Sequence, residues 1–229
     1  MTTTGRRPIE PPPTGWRFPP VGPAPSDDLI AVGADLAPGT LLAAYRAGYF
    51  PMPVDHPARI GWWSPNPRGV IEVDRFHVSR SLRRSNRKFT IKIDTALDAV
   101  IDGCADTRRP HGWISEEIRA AYAELHALGW VHSIEAWSED GELAGGLYGV
   151  AIGSFFAGES MFHRKNDASK AVLWALVRRL QDAPNALLDV QWLTPHLESL
   201  GATELGRTAY VGRLERAIHE PPLDWAGLH

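Results

Sequence analysis

Glu159 places a carboxylate in the middle of an apolar strand, FFAGESMF. Alternate residues of a strand share a face, so Ala157, Glu159 and Met161 are expected on one wall of a sheet. Burying a carboxylate there is costly unless a hydrogen bond or an opposite charge compensates for the lost water. A bound ligand would be one such partner. The alternative is an internal salt bridge or a cap on a neighbouring helix.

A second strand, ALLDVQWL, repeats this pattern. Asp189 and Gln191 are expected on one face of it, and Leu188, Val190 and Trp192 on the other. A carboxylate suits a cationic ligand, whereas an amide has no useful pKa and can only hydrogen-bond and align a reactant. Two strands with the same pattern favour a binding or catalytic site over internal pairing.

A cluster of basic residues precedes both strands in the chain. Seven cations and no acidic residue lie in residues 75–92, although the whole chain has 24 Lys plus Arg against 27 Asp plus Glu and a net charge of -3. Such a patch can follow a phosphate backbone, although it is also compatible with a solvated surface. The cluster consists of Arg75, Arg80, Arg83, Arg84, Arg87, Lys88 and Lys92.

Other chemistries find less support in the sequence. No H-E-x-x-H or G-x-S-x-G motif is present, and Cys104, the one cysteine, falls on the apolar face of a predicted helix. We therefore expect no metal, no cofactor and no covalent nucleophile. A coenzyme A-dependent N-acyltransferase would need a glycine-rich loop to hold the pyrophosphate where the Glu159 strand joins the next helix. The segment at this junction, HRKNDASK, contains no glycine, and this disfavours such an enzyme. A non-catalytic RNA-binding protein is the other alternative.

Composition limits the class of protein. A chain of 229 residues with 44% apolar residues can bury a sizeable core. The slightly negative net charge predicts no general attraction to nucleic acid or to anionic membranes, so a polyanion site must be local. With one cysteine and no apolar run of membrane-spanning length, the sequence predicts a cytoplasmic protein without a membrane partner.

The N-terminal half predicts short elements. Residues 1–27 are rich in proline and predict an extended or loosely packed arm. In DLAPGTLLAAYRAGYFP, Thr40 is the predicted cap of a short helix that Gly48 ends. Residues 70–76 are rich in strand-forming types and predict a strand.

The C-terminal half alternates between helices and strands. Residues 95–104 predict an amphipathic helix, and SEEIRAAYAELHALGW predicts a second one with Ser115 as cap and Gly129 as stop. VHSIEAW, GELAGGLYGVAIG and SFFAGESMF predict an antiparallel meander. Asn166 or Asp167 opens a helix that returns to ALLDVQWL, and two helices follow. The fold class is therefore α+β.

The chain resembles a known family in its motifs and their order. VGADLAPGTLLAAYRAGYFPM, WWSPNPRGVI, HVSRSLRR, GELAGGLYGVAIGSFFAGESMFHRKNDASK and LLDVQWLTPHLESLGA are similar to segments of the bacterial leucyl/phenylalanyl-tRNA–protein transferases. The resemblance covers about residues 28–218 in the sequence. It implies an aminoacyltransferase that moves Leu or Phe from aminoacyl-tRNA to the N-terminal Arg or Lys of a protein, which marks that protein for degradation.

The resemblance also implies an organisation of the chain. A Pro-rich arm (1–27) and a small N-terminal α/β domain (28–92) would precede an N-acetyltransferase-like catalytic domain (93–229) with a mixed, largely antiparallel sheet. Its partners would be Leu-tRNA, Phe-tRNA and proteins that begin with Arg or Lys, and no cofactor is implied. We expect a monomer.

Site residues follow from the same resemblance. Asp189 and Gln191 would hold the attacking amine, and Glu159 would orient the terminal adenosine or the peptide end. The lining of the donor-amino-acid pocket would include Leu147, Phe156, Met161, Leu173, Leu176 and Leu188. The tRNA would contact Arg80, Arg83, Arg84, Arg87, Lys88 and Trp113.

Two positions depart from the family pattern. Met52 stands where the family usually has Trp, so a stacking partner for the tRNA end is absent or is replaced by Trp62 or Trp63. Leu147 stands where Met is familiar, which would alter the balance between Leu and Phe. Neither change affects the acidic and amide residues.

Overall fold

The computed structural model describes residues 7–19, 27–54, 59–106 and 113–226. Helices and strands alternate along these residues. In chain order they are β1 (Leu29–Val32), α1 (Pro38–Arg46), β2 (Phe50–Pro53), β3 (Ile60–Trp63), β4 (Arg68–Ile71), a 3-10 helix (Val73–Arg75), α2 (Arg80–Asn86), β5 (Phe89–Ile93), α3 (Leu97–Cys104), α4 (Glu116–Ala127), β6 (Val131–Ser138), β7 (Leu143–Ile152), β8 (Phe155–His163), α5 (Ala168–Leu180), β9 (Leu187–Gln191), α6 (Pro195–Glu198), β10 (Ala202–Leu205) and α7 (Arg207–Ile218).

The strands form a small sheet and a large one. The small sheet has the order β1-β3-β2, and the large one has the order β10-β4-β9-β8-β7-β6-β5. All neighbours in the large sheet are antiparallel except β8 and β9, which are parallel. The predicted α+β class with a mixed, largely antiparallel sheet is confirmed. Strands β4 and β5 precede residue 93 but belong to the large sheet, so the boundary between the sheets does not coincide with residue 92.

Each face of the large sheet covers a separate hydrophobic core. The first core lies under α1, α3, α4 and α7 and contains Tyr45, Val100 and Tyr122. The second core lies under α5 and contains Leu147 and Phe156. Burial of both faces explains why β7 is apolar throughout rather than alternating. No helix in the described part of the chain is long and apolar enough to cross a membrane.

Several local predictions are confirmed. The Ser115 hydroxyl accepts a hydrogen bond from the Ile118 amide at 3.2 Å and caps α4. Gly129 follows this helix with φ +84°, a left-handed conformation that favours glycine and ends helices. β6, β7 and β8 form the predicted antiparallel meander.

Two predictions in the N-terminal half are wrong in detail. Helix α1 begins at Pro38, because proline is preorganised for the first helical position, and Thr40 lies buried in the first turn. The Thr40 hydroxyl donates to the Asp35 carboxylate at 2.6 Å instead of capping the helix. The strand predicted over residues 70–76 ends at Ile71 and gives way to the 3-10 helix.

The described part of the Pro-rich arm, residues 7–19, packs on the body of the protein, which corrects the expectation of loose packing. The Ile9 amide donates to the Leu128 carbonyl at 2.8 Å, and the Trp130 indole donates to the Ile9 carbonyl at 2.8 Å. The Phe18 ring meets the Trp62 ring edge-on, with centroids 4.9 Å apart. Proline removes backbone donors from this segment, but aromatic packing and hydrogen bonds from the body attach it.

This packing predicts that Phe18→Ala destabilises the protein. Loss of a half-buried ring from its contacts with Trp62 and Tyr49 should lower the free energy of unfolding by about 1–3 kcal/mol, below the range for fully buried rings. Ile9→Ala is the matched control, since the Ile9 side chain is 47% exposed. Urea denaturation of the three proteins checks the prediction; equal effects of the two substitutions would contradict it.

Candidate active site

Glu159 occupies a β-bulge. The register between β7 and β8 shifts between Tyr148 and Gly149, so that Glu159 is an extra residue in β8. A bulge reverses the alternation of side chains beyond it. Glu159 therefore faces the first core, while Met161 packs against the second. The expectation that the two share a wall is wrong for this reason.

The Glu159 carboxyl group forms a triangle with two tyrosine hydroxyls. Tyr45 on α1 contacts Oε1 at 2.7 Å, Tyr122 on α4 contacts Oε2 at 2.8 Å, and the two hydroxyl oxygens are 2.6 Å apart. Three hydrogen bonds need three protons, and the two hydroxyls supply only two of them. A proton on Glu159 would complete the ring of hydrogen bonds.

The environment of Glu159 favours this protonated form. Burial raises the pKa of its carboxyl group to about 7, against the opposing effects of the tyrosine hydroxyls and the Arg68 charge. The negative charge of Asp189 contributes to the increase. The pKa of Glu159 therefore lies well above the ordinary value of a glutamate, in the direction that favours its protonated form.

Asp189 lies fully buried in an ion pair with Arg68, a residue that the sequence did not single out. Arg68 Nε donates to Oδ1 at 2.9 Å and Nη2 donates to Oδ2 at 2.7 Å. The Tyr210 hydroxyl also donates to Oδ2 at 2.8 Å, and the Gln191 backbone amide donates to Oδ1 at 2.9 Å. These four donors use the four lone-pair sites of the carboxylate.

Gln191 ends β9 in an unusual conformation. Its φ is +59°, in the left-handed region that a residue with a side chain seldom adopts. The register with β4 shifts so that Gln191 lies opposite Gly69 while Asp189 lies opposite Val70. The Gln191 side chain is 92% buried, and its Nε2 has no hydrogen-bond partner among the described residues. An unpaired buried donor is costly and therefore points to a ligand group that accepts from it.

The turn at Gln191 also redirects Trp192. The predicted alternation would place Trp192 with Leu188, in the second core. Instead the Trp192 ring meets Phe50 and Trp63, with centroids 5.1 and 6.0 Å away, and its indole donates to the Asp28 carboxylate. The predicted face is wrong because the left-handed residue interrupts the alternation.

Between Glu159 and Gln191 the sheet opens. β8 and β9 pair in parallel only from Phe155 opposite Leu187 to Ala157 opposite Asp189. Beyond this point residues 158–163 of β8 continue beside β7 without a partner on β9. We call this gap the β8–β9 opening; residues 158–161 border it on one side and residues 190–191 on the other. Each side carries one of the polar residues, Glu159 on β8 and Gln191 on β9.

The predicted pocket residues lie together on the face opposite Glu159. Five of them are buried members of the second core, and half-buried Met161 packs against that core beside the opening. These five are Leu147, Phe156, Leu173, Leu176 and Leu188.

The predicted tRNA contacts separate into two groups. Arg80, Arg83 and Arg84 lie on α2, followed by Arg87 and Lys88, and all five are exposed. Within the described residues none of the five forms an ion pair. Trp113 forms the second group and is half-buried against the first core.

Trp63 is a candidate to replace the aromatic residue that is absent at Met52. Its indole N–H donates to the Met52 carbonyl at 3.1 Å.

Comparison with known proteins identifies the family. A model of the leucyl/phenylalanyl-tRNA protein transferase matches residues 70–215, and one of its N-terminal domain matches residues 34–66. The chain belongs to the leucyl/phenylalanyl-tRNA–protein transferase family. Curated members from Azoarcus sp. (strain BH72) and Aromatoleum aromaticum are 47% and 49% identical, over 92% and 90% of this chain and 92% and 88% of their own.

This result confirms the resemblance seen in the sequence, and with it a transferase. A family member from Maridesulfovibrio salexigens is 44% identical over 90% of this chain and 88% of its own. Among solved structures, L-PGS from Bacillus licheniformis aligns with 66% of this chain and 56% of its own at 12% identity, with a TM-score of 0.38, which is too low to support an argument.

The residues that hold the candidate site together carry little signal in the sequence. Arg68, Tyr45, Tyr122 and Tyr210 come from β4, α1, α4 and α7, and each contacts an acidic residue of the site. One signal was available for Arg68, a charged residue next to the apolar run GVI. The tyrosines carried no such signal, because a tyrosine on an apolar helix face is ordinary core.

The ion pair predicts a large loss of stability for Arg68→Met. Without the guanidinium, the Asp189 carboxylate would remain buried and uncompensated, which costs about 3–5 kcal/mol. Arg46→Met is the matched control, because Arg46 makes a similar two-bond pair with Glu10 at the surface, and an exposed pair contributes about 0–1 kcal/mol. Chemical denaturation measures the free energy of unfolding of both variants. Similar decreases for Arg68→Met and Arg46→Met would contradict the statement that burial makes the Arg68–Asp189 pair the more important one.

The raised pKa of Glu159 predicts a pH dependence. Between the ordinary value of 4.5 and about 7 the folded transferase keeps a proton that the unfolded chain has lost. This contribution to stability is therefore present below pH 4.5 and is lost as the pH rises through 7. Glu159→Gln stays neutral, so the variant should gain stability relative to the native protein between pH 4.5 and 8. If the free energies of unfolding of the native protein and of Glu159→Gln differ by a constant amount over this pH range, the raised pKa is excluded.

Proposed function

We propose that this protein transfers Leu or Phe from the 3′ end of aminoacyl-tRNA to the N-terminal Arg or Lys of acceptor proteins in the cytoplasm, which marks them for degradation. The acceptor α-amine attacks the ester carbonyl, a C–N bond forms, and the C–O bond to the ribose breaks. The amine proton leaves, and the ribose oxygen gains one to become a free hydroxyl. The ester is already activated, so positioning supplies much of the rate enhancement.

The β8–β9 opening is the observation that carries this proposal. On its β8 side, Met161 packs against the apolar cluster on one face of the sheet and Glu159 faces the other, and Gln191 lies on its β9 side. A bound aminoacyl ester would insert its side chain into the second core and leave its carbonyl at the opening. The acceptor amine would approach from the side of Glu159.

Gln191 is proposed to donate to the ester carbonyl. Its side-chain NH2 group is buried and has no hydrogen-bond partner among the described residues. A donor held in this way stabilises the negative charge that develops on the carbonyl oxygen during attack. Asp189 then has a positioning role, because its carboxylate accepts the Gln191 backbone amide and has no lone pair left for the substrate.

Glu159 is proposed to receive the proton of the acceptor. An α-ammonium group has a pKa of roughly 7.7–8.0, close to the value of about 7 for Glu159. Proton transfer between groups of similar pKa is efficient near neutral pH. A carboxylate also favours a cationic N-terminal residue, in agreement with Arg or Lys.

The donor side chain and the tRNA complete the proposal. Leu147, Phe156, Met161, Leu173, Leu176 and Leu188 would accept an unbranched-Cβ side chain of the size of Leu or Phe, and Met161 at the edge can adapt to either shape. The exposed cations of α2 would contact phosphates of the acceptor stem, while Trp113 would lie near the terminal adenosine. Contacts to the phosphate backbone do not depend on sequence, which suits an enzyme that uses two kinds of tRNA.

Mass spectrometry tests the activity directly. The protein is incubated with Phe-tRNA or Leu-tRNA and a peptide that begins with Arg, beside the same peptide beginning with Ala. We expect the mass of one Phe or Leu to be added to the Arg peptide alone. If the aminoacyl-tRNA is confirmed to be active and the Arg peptide gains no mass, the proposed function is overturned.

Gln191→Ala tests the proposed carbonyl donor. Loss of a single donor of this type lowers kcat by about 10²–10³-fold, with a smaller change in the KM for the tRNA. Gln181→Ala, on an exposed glutamine at the end of α5, is the matched control and should retain full activity. If the kcat of Gln191→Ala equals that of the native protein, Gln191 takes no part in the chemistry.

A further inference from the structure

The exposed surface of α5 carries basic residues around a tryptophan. Lys170, Trp174 and Arg178 are spaced four residues apart, so they follow one another along one side of the helix. Trp174 is half-buried and Arg178 is exposed. None of these three residues contributes to the site described above.

This surface adjoins the basic helix α2. The Arg83 guanidinium lies over the Trp174 ring at 5.9 Å from its centroid. The Ser85 hydroxyl donates to the Asp167 carboxylate at 2.8 Å, which ties α2 to the start of α5. Trp174 therefore lies between the cations of α2 and those of α5.

The charged residues within the two helices are all basic. Neither α2 nor α5 contains an Asp or a Glu, while α2 contributes three arginines and α5 contributes Lys170, Arg178 and Arg179. Asp167, just before α5, accepts hydrogen bonds from Lys170 and Ser85. In a chain whose net charge is -3, such segregation is a local attraction for a polyanion.

The tryptophan indicates which polyanion this surface fits. Phosphates satisfy the cations, and the partly exposed ring of Trp174 offers a stacking surface for a base, a combination typical of proteins that bind single-stranded nucleic acid. An acidic peptide would use the cations but would have no planar group to stack. The pairing of Trp174 with Arg83 places a ring and a guanidinium at one point of the surface.

We propose that α5 extends the tRNA-binding surface of α2, with Trp174 stacking on an unpaired nucleotide of the acceptor end and Arg178 contacting a phosphate. The choice of aminoacyl-tRNA as the ligand rests on the proposed function. The surface lies beside the segment that joins β8 to α5, which continues from the β8–β9 opening. A tRNA that delivers its 3′ end to the opening can thus pass over Trp174.

The first experiment measures binding of labelled Phe-tRNA by fluorescence anisotropy over a range of salt concentrations. Trp174→Leu keeps the apolar packing but removes the stacking surface, and base–aromatic stacking is worth about 1–3 kcal/mol per base, or roughly 5- to 150-fold in Kd. Trp174→Phe keeps a ring and should remain within about threefold of the native protein. The salt dependence should be the same in both variants, since neither changes a charge.

Unlike the Trp174 variants, Arg178→Gln should change the salt dependence of binding. Loss of one phosphate contact should reduce the slope of log K against log salt by about 0.7–0.9. Arg216→Gln, on an exposed arginine of α7, and Trp16→Leu, on a tryptophan that is 53% exposed, are matched controls with unchanged binding. Equal Kd values for Trp174→Leu and the native protein, or equal weakening by Leu and Phe, would overturn the proposal.

A short aminoacyl donor distinguishes the role of this surface from that of the catalytic site. With Phe esterified to adenosine alone, Trp174→Leu and Arg178→Gln should transfer Phe to the Arg peptide as fast as the native protein, whereas kcat/KM with whole Phe-tRNA should fall at least fivefold. Equal losses with both donors would indicate a structural defect and overturn the proposal. If the native protein binds tRNA through Trp174 but transfers nothing from either donor, the proposed function fails while this inference stands.

Discussion

The buried ion pair between Arg68 and Asp189 is the interaction on which the architecture depends. It links β4 to β9, the second and third strands of the large sheet counted from β10, and it contacts α7 through the Tyr210 hydroxyl and the residue after α1 through the Gly48 carbonyl. The Arg68 guanidinium also lies between the rings of Phe50 and Tyr210, 4.8 and 4.6 Å from their centroids. Removing two charges from water is costly, and the pair is tolerated because every lone pair of Asp189 is satisfied.

The shape of the candidate active site follows from this pair. The Asp189 carboxylate holds the Gln191 backbone amide, and this hydrogen bond supports a left-handed residue at the end of β9. A strand that turns there cannot continue beside β8, so the parallel pairing stops after three residue pairs and the sheet opens. Backbone strain at one residue is thus compensated by the ion pair beneath it, as is common at functional sites.

Much of the fold was accessible from the sequence because its signals are local. The cap at Ser115, the stop at Gly129 and the three strands of the meander depend on residues a few positions apart. The polar residues of the site, Glu159 and Gln191, were also recognisable, because polar groups in apolar strands are unusual.

The remaining features depend on contacts between distant parts of the chain. The bulge at Glu159 is a register shift against β7, and nothing in FFAGESMF marks it. Arg68 and Asp189 are 121 residues apart, and Tyr45 and Glu159 are 114 apart. Strand alternation was a sound rule for each segment, but it failed at Met161 and Trp192 because one extra or left-handed residue reverses it.

The bulge at Glu159 has a consequence for how such an enzyme can evolve. Within three residues, one strand presents an ionisable group to one face of the sheet and an apolar wall to the other. If the apolar wall holds the donor side chain as proposed, substitutions that reshape it would change which amino acid is accepted and would leave the hydrogen-bonded ring of Glu159, Tyr45 and Tyr122 unaltered. Selection on substrate range and selection on reactivity can therefore act on separate sets of residues in the same short segment.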